Sequence, residues 1–231
     1  MTSGNSEIKQ KAREFLAGHW LEHISFSILL IALELLCAGI LNLFPNNVSL
    51  SATVVILVAA SILQALWGLA ATGASWHFLK CLRGEASPLS DVLVPFKKQP
   101  DRYLIVELIE IAAGLAVYAP MAAVTYFMRP SAAWIILIIV LFIAGTAGYL
   151  AVKAAFALSR FFLLDDDSLG AIAALKKSAG VMKGKKGRYV KLLLSFIGYL
   201  LLSICTFGLG MIWVIPYLFT AQAQFYTCVK P

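Results

Sequence analysis

The sequence predicts an all-α membrane protein of six transmembrane helices, arranged as three repeated hairpins that are each preceded by a cytoplasmic amphipathic helix. Three observations carry that expectation. Of 231 residues, 61% are hydrophobic and only 13% are charged, with a mean hydropathy of +0.85, which is more apolar surface than a water-soluble core of this size requires. The apolar residues gather in runs near or above the roughly 20 residues that a helix needs to cross about 30 Å of hydrocarbon, where unpaired backbone groups are not tolerated. Finally, Ser6, Ser87 and Ser168 stand 81 residues apart, and each opens a short amphipathic stretch followed by two apolar runs. The chain reads as one polytopic domain with pseudo-repeats over 6–79, 87–160 and 168–230.

In the first block, Ile8, Ala12, Phe15, Leu16 and Trp20 recur at helical spacing, with Lys9, Lys11, Arg13 and Glu14 opposite. Such a helix is expected to lie along the inner leaflet. Spans follow over Ile24 to Phe44 and Ala52 to Leu79, joined by Pro45 to Ser51 with its Asn46-Asn47 turn signal. The second block begins with Ser87 as N-cap and Pro88 at the first helical position, with Leu89, Val92, Leu93 and Phe96 inward. Its spans are Tyr103 to Phe127 and Ala132 to Arg160, turned by Met128 to Ser131. The third lead-in runs from Ser168 with Leu169, Ile172, Leu175, Ala179 and Met182 inward, and Asp165, Asp166 and Asp167 stand where carboxylates cap free N–H groups, a role favoured over a cation site because three consecutive acids cannot all face one ion without a specially folded loop. Leu192 through Val229 contains no acid or base, and as one helix it would be about 57 Å long. The Thr206 to Gly210 stretch, with Gly208 and Gly210, breaks it into Val190 to Phe207 and Met211 to Val229.

Orientation follows from the cations. Of 19 Lys and Arg residues, 17 fall in the N-terminal arm, the second-to-third loop, the segment from Arg160 to Lys191 and the tail, against Arg129 on the other side and Lys153 within a helix. Both termini are therefore expected in the cytoplasm. The first apolar run follows a charged arm and contains Glu34, so it is not expected to be a cleavable signal. His19-Trp20, Arg102-Tyr103 and Arg188-Tyr189 are read as headgroup-level anchors. Cys37, Cys81, Cys205 and Cys228 lack paired spacing and are read as apolar packing, without a disulfide framework. Asn47-Val48-Ser49 matches a glycosylation sequon very close to the membrane.

Charges inside the apolar runs are the first functional candidates, because each costs at least about 2.5 kcal/mol at mid-membrane. These are Glu34, Glu107, Glu110, Lys153 and Arg160. Antiparallel geometry places Glu107 and Glu110 at the depth of Lys153 and Arg160, and one of the two acids is expected to pair with Lys153; Glu34 has no partner on its own helix and is expected to be protonated, to reach Ser61 or Gln64, or to line a polar cavity. Lys176, Lys177, Lys183, Lys185, Lys186 and Arg188 form a basic cluster suited to anionic lipid at about 1 kcal/mol per cation. Gly180 to Lys185 is one residue short of a P-loop, so no nucleotide site is expected. His19-Trp-Leu-Glu22-His23 spells an inverted zinc-protease motif, and His77 is expected at the same depth; these three are weaker metal candidates, since Trp20 already explains the segment as an anchor.

The stretch carrying Ala174-Leu-Lys-Lys-Ser178, Met182-Lys-Gly184, Leu194-Ser-Phe-Ile-Gly198, Thr206-Phe-Gly-Leu-Gly210, Pro216-Tyr217, Thr220-Ala221 and Phe225-Tyr226 resembles a family of bacterial integral membrane proteins known as domain of unknown function nine-seven-five. Lys11-Ala-Arg13 with Gly18 and Trp20 is similar to that family's leading motif, while Tyr199 and His19 depart from it. The resemblance implies a six-helix cytoplasmic-membrane protein related to the membrane domain fused to some glycerophosphodiester phosphodiesterases, and it implies no activity. The residues together lead us to expect a non-enzymatic accessory or scaffold protein of the envelope that contacts anionic membrane lipids, with a protein partner, no nucleic acid and no cofactor. The competing expectation is a small transporter or exporter of a lipid-like or peptide solute using Glu34, Glu107, Glu110 and Lys153. An interfacial zinc hydrolase is the third.

Overall fold

The structure is a computed structural model that describes residues 4–43 and 50–230; the Asn47 sequon and most of the Pro45 to Ser51 turn lie outside them. Eleven α-helices occur among the described residues, with no strand. They are α1 (Asn5–Leu16), α2 (Trp20–Asn42), α3 (Leu50–Leu82), α4 (Val94–Lys97), α5 (Pro100–Phe127), α6 (Ala132–Phe156), α7 (Ser159–Asp165), α8 (Ala171–Val181), α9 (Lys186–Leu194), α10 (Ile197–Cys205) and α11 (Met211–Val229), with a 3₁₀ turn over Leu89–Leu93. Five stretches are long and apolar enough to cross a membrane: Trp20–Asn42, Ser51–Leu82, Pro100–Phe127, Ala132–Asp165 and Lys186–Cys205. Leu21, Val55, Ile136, Ile143 and Phe207 are more than half exposed on their outer faces, an apolar surface compatible with a membrane protein.

The expected sixth span, α11, forms as a 19-residue helix but is not among those five. Thr220, Gln222 and Gln224 temper its hydropathy, and its face through Tyr217, Thr220, Ala221 and Phe225 is buried. It packs against α1, α2 and α3, while α2 packs on α3, α5 on α6 and α10 on α11. The core gathers at the lysine-rich end, where Ile8, Leu16, Phe78, Leu158, Phe162, Phe225 and Tyr226 meet. At the other end the α5–α6 hairpin is nearly bare, held by Gly145 against Tyr118 and by a 3.3 Å hydrogen bond between Tyr118 Oη and Thr146 Oγ1.

Two expected spans are interrupted. The fourth breaks after Phe156, and buried Ser178 of α8 accounts for it: its Oγ–H donates to the Ala155 carbonyl at 2.8 Å and its oxygen accepts from the Leu158 N–H at 3.2 Å. The fifth breaks at Ser195-Phe196, where the Ser195 hydroxyl donates to the Leu192 carbonyl and competes with the helix ladder. The Ser195 carbonyl accepts the Lys9 ammonium at 3.1 Å instead, which also sits over the Phe196 ring at 4.9 Å. At the last turn, consecutive left-handed residues Phe207 (φ 52°) and Gly208 (φ 88°) let the Gly208 N–H close on the Ser203 carbonyl at 2.7 Å.

The cytoplasmic lead-ins differ from expectation in what they cover. The inward residues of α1 (Ile8, Ala12 and Leu16) are fully buried by protein, chiefly α11, rather than lying on lipid. Ser87 does not cap a helix: Pro88 is extended, the Ser87 hydroxyl donates to Asp91 at 2.6 Å, and Val92 rests on α3 where a side chain at Gly73 would overlap its backbone. In α8 the inward face is Ala171, Ala174, Leu175, Ser178 and Met182, with Ile172 outward and 52% exposed; small residues win there because they let α8 approach the α6–α7 break. Nor do the three aspartates cap α8. Asp165 takes Arg83 at 2.7 Å, Lys230 at 2.8 Å and the Tyr226 hydroxyl at 2.5 Å, Asp166 folds onto Ser168, and Asp167 lies 3.6 Å from Arg102. Arg102 is likewise a buried tie rather than an anchor, donating to the carbonyls of Asp167 at 2.7 Å and Leu169 at 3.0 Å.

Candidate functional site

Glu107 and Glu110 lie one turn apart on α5 and share a face, which the chain turns toward α6 and α7. The Lys153 ammonium approaches Glu110 Oε2 to 2.6 Å, and the Arg160 guanidinium spans both acids, 2.9 Å from Glu107 Oε1 and 3.0 Å from Glu110 Oε2. Two negative and two positive charges thereby neutralise one another in a site where both carboxylates are about 95% covered. Sequence reasoning placed Arg160 at the same depth and anticipated one pair, with Lys153; in the structure Arg160, on α7 where it packs against α5, bridges both acids.

A cavity of about 1090 Å³ opens beside this quartet. Its polar wall is Glu34, Gln64, Glu110, Lys153, Arg160 and Gln222. Its apolar wall is built from leucine, isoleucine and phenylalanine of α2, α9 and α11, and its rim includes Leu35 and the fully exposed Phe207. The cavity therefore borders the lipid-facing surface. Lys153 keeps about a third of its side chain exposed, so its ammonium reaches the cavity while bonded to Glu110. Glu34 has no ion-pair partner among the described residues, and Gln64 lines the same wall. Ser61 does not, its hydroxyl donating instead to its own helix at Leu57. The Trp67 indole N–H is buried at this wall without an acceptor.

Of the basic cluster, Lys176, Lys177, Lys183 and Lys186 are exposed, and Lys185 and Arg188 are half-buried. Lys177 sits over the Phe162 ring at 4.7 Å, and the Arg188 carbonyl accepts from the Asn5 side chain at 2.9 Å, so this surface also holds the fold together.

The histidines separate. His19 is exposed and precedes α2 with non-helical backbone, so the i, i+4 face it was expected to share with His23 does not form. His23 and His77 are buried with Nδ1 and Nε2 2.9 Å apart, and Cys81 Sγ lies 3.8 Å from the His77 ring nitrogens. Sequence reasoning missed Cys81, which had a signal in its i+4 spacing from His77, and missed Gln222, Tyr149 and Trp67, which had none beyond being polar atoms in apolar helices.

The chain belongs to the family described as a protein of unknown function, DUF975, whose model matches residues 1–231. No curated protein and no solved structure matches the chain.

Proposed function

With membership of that family as premise and the cavity as guide, we propose that this is a non-enzymatic, multi-pass protein of the bacterial cytoplasmic membrane that takes up a lipid-like or peptide amphiphile and carries it across. The observation that carries this reading is the cavity of about 1090 Å³, apolar along most of its wall and charged at one end. That volume is in the range of sites for drug-sized and larger ligands. An amphiphile's chain fits the leucine-rich wall, and its polar end meets Glu34, Gln64 and Lys153. Three repeated hairpins make six crossings, with α11 as the sixth. Helices α1 and α11 pack together, the Tyr217 hydroxyl donating to the Lys9 carbonyl at 3.3 Å, which supports both termini on one face; the cation distribution supports a cytoplasmic assignment of that face.

The test is transport in proteoliposomes of a fluorescent phospholipid and a fluorescent apolar peptide, followed by accessibility to an external quencher. Flux of either that is lost in Glu34→Gln, with helix content and elution unchanged, is the expected result. No flux of either, together with no amphiphile retained by the purified protein, overturns the reading.

The exposed lysines favour a second reading, an envelope scaffold that engages anionic lipid and a protein partner from its cytoplasmic side. It expects Lys183→Gln, Lys185→Gln and Lys186→Gln together to reduce the anionic lipid retained per protein in mixed nanodiscs, and equal retention removes it.

A further inference from the structure

We propose that His23, His77 and Cys81 are three ligands of a zinc-class cation site that ties α2 to α3. The two ring nitrogens point at one another across 2.9 Å, and the thiol lies 3.8 Å from His77; all three donor atoms fall within 4.8 Å of one another. Tetrahedral zinc with Zn–N of about 2.0–2.1 Å and Zn–S of about 2.3 Å sets its donors roughly 3.3–3.6 Å apart. The rings have to part by a few tenths of an ångström, and the sulfur has to close by about 0.2 Å on His77 and by up to about 1.2 Å on His23. Two imidazoles and a thiolate are a borderline-to-soft set, suited to zinc and unsuited to magnesium or calcium.

The surroundings are those of a built site. Phe26 stacks on His77 at 3.6 Å, and Phe15 and Phe78 face His23 at 5.4 and 5.3 Å, so the rings have little freedom to turn away. Asp91 is already engaged by Lys80 at 3.0 Å and by Ser87 at 2.6 Å, so it is not the fourth ligand. The fourth position falls to water or an added donor reaching in past Cys81, the one partly exposed member. On binding, the Cys81 S–H bond breaks, the sulfur–metal bond forms and the proton leaves to solvent; the proton shared by the two rings moves through water to an outer ring nitrogen.

The test uses tag-free full-length protein in detergent, titrated with Co²⁺ and then Zn²⁺. The expected result is one equivalent of Co²⁺ with tetrahedral ligand-field bands and a thiolate charge-transfer band, all displaced by Zn²⁺. The charge-transfer band disappears in Cys81→Ser. His23→Gln and His77→Gln each weaken binding by at least the roughly tenfold that loss of even an outer partner costs. His19→Ala leaves binding unchanged. Absence of stoichiometric binding in the unaltered protein overturns the site, as does a charge-transfer band that survives Cys81→Ser. If a histidine variant fails to fold, the Cys81→Ser spectrum decides.

Discussion

Gly68 on α3 lies directly against the carboxylate of Glu107 on α5, so close that a Cβ at residue 68 would overlap the carboxylate carbon and Oε2. The missing side chain is what lets a buried acid turn toward Arg160 while two membrane-spanning helices pack face to face. Gly68→Ala is expected to push Glu107 off Arg160 at a cost of about 1.5–3 kcal/mol, the usual worth of a hydrogen bond to a charged group. Thermal unfolding in detergent measures it; an unchanged midpoint would show that Glu107 has room elsewhere.

Arg160 and Lys153 are expected to differ as partners of the same acids. Arg160→Met leaves Glu107 without its cation inside protein and removes one of two from Glu110, for which about 3–5 kcal/mol is expected. Lys153→Met leaves Glu110 on Arg160, and Lys153 is about a third exposed, so about 1 kcal/mol or less is expected. Equal losses in the two variants, measured by chemical denaturation, would contradict the bridging role of Arg160.

Ser178 closes the gap between α6 and α7 from both sides. Ser178→Ala strands a buried N–H and a buried carbonyl, and a loss of about 1–3 kcal/mol is expected with faster hydrogen exchange at Leu158. Ser178→Thr, which keeps the hydroxyl, is expected to restore slow exchange.

The Asp166 carboxylate accepts the Ser168 hydroxyl at 2.6 Å and the Ser168 N–H at 2.9 Å, and these bonds hold its pKa below the ordinary 3.8. A carboxylate whose folded pKa is depressed contributes its full stability above the unfolded value and loses it as pH falls through the folded one. The turn into α8 is therefore expected to stay intact through mild acid and to loosen only below about pH 3.8. The Ser168 amide shift followed by NMR gives the midpoint; a value at or above 3.8 contradicts the bonds.

Much of the bundle was legible because long apolar runs leave few alternatives: α2, α3, α5, α6 and α11 begin or end within a few residues of the hydropathy boundaries. The interruptions were not legible, because each depends on a distant group that takes up the freed backbone. Ser178 does so for Ala155, and Lys9 does so for Ser195 across 186 positions of sequence. The inward face of α8 was misread for a related reason, since alanine and serine carry little hydrophobic signal and are favoured there for their size. The charged residues of the quartet were visible as costly exceptions to an apolar pattern. Their joint neutrality was not, because spacing gives a shared depth and not which of two cations spans both acids.

A rim that carries Leu35 and Phe207 gives the mouth of the cavity an apolar edge on the outside of the bundle. On the proposed reading an amphiphile would arrive already dissolved in hydrocarbon, and loading would follow its partition coefficient and leaflet abundance rather than its concentration in the buffer.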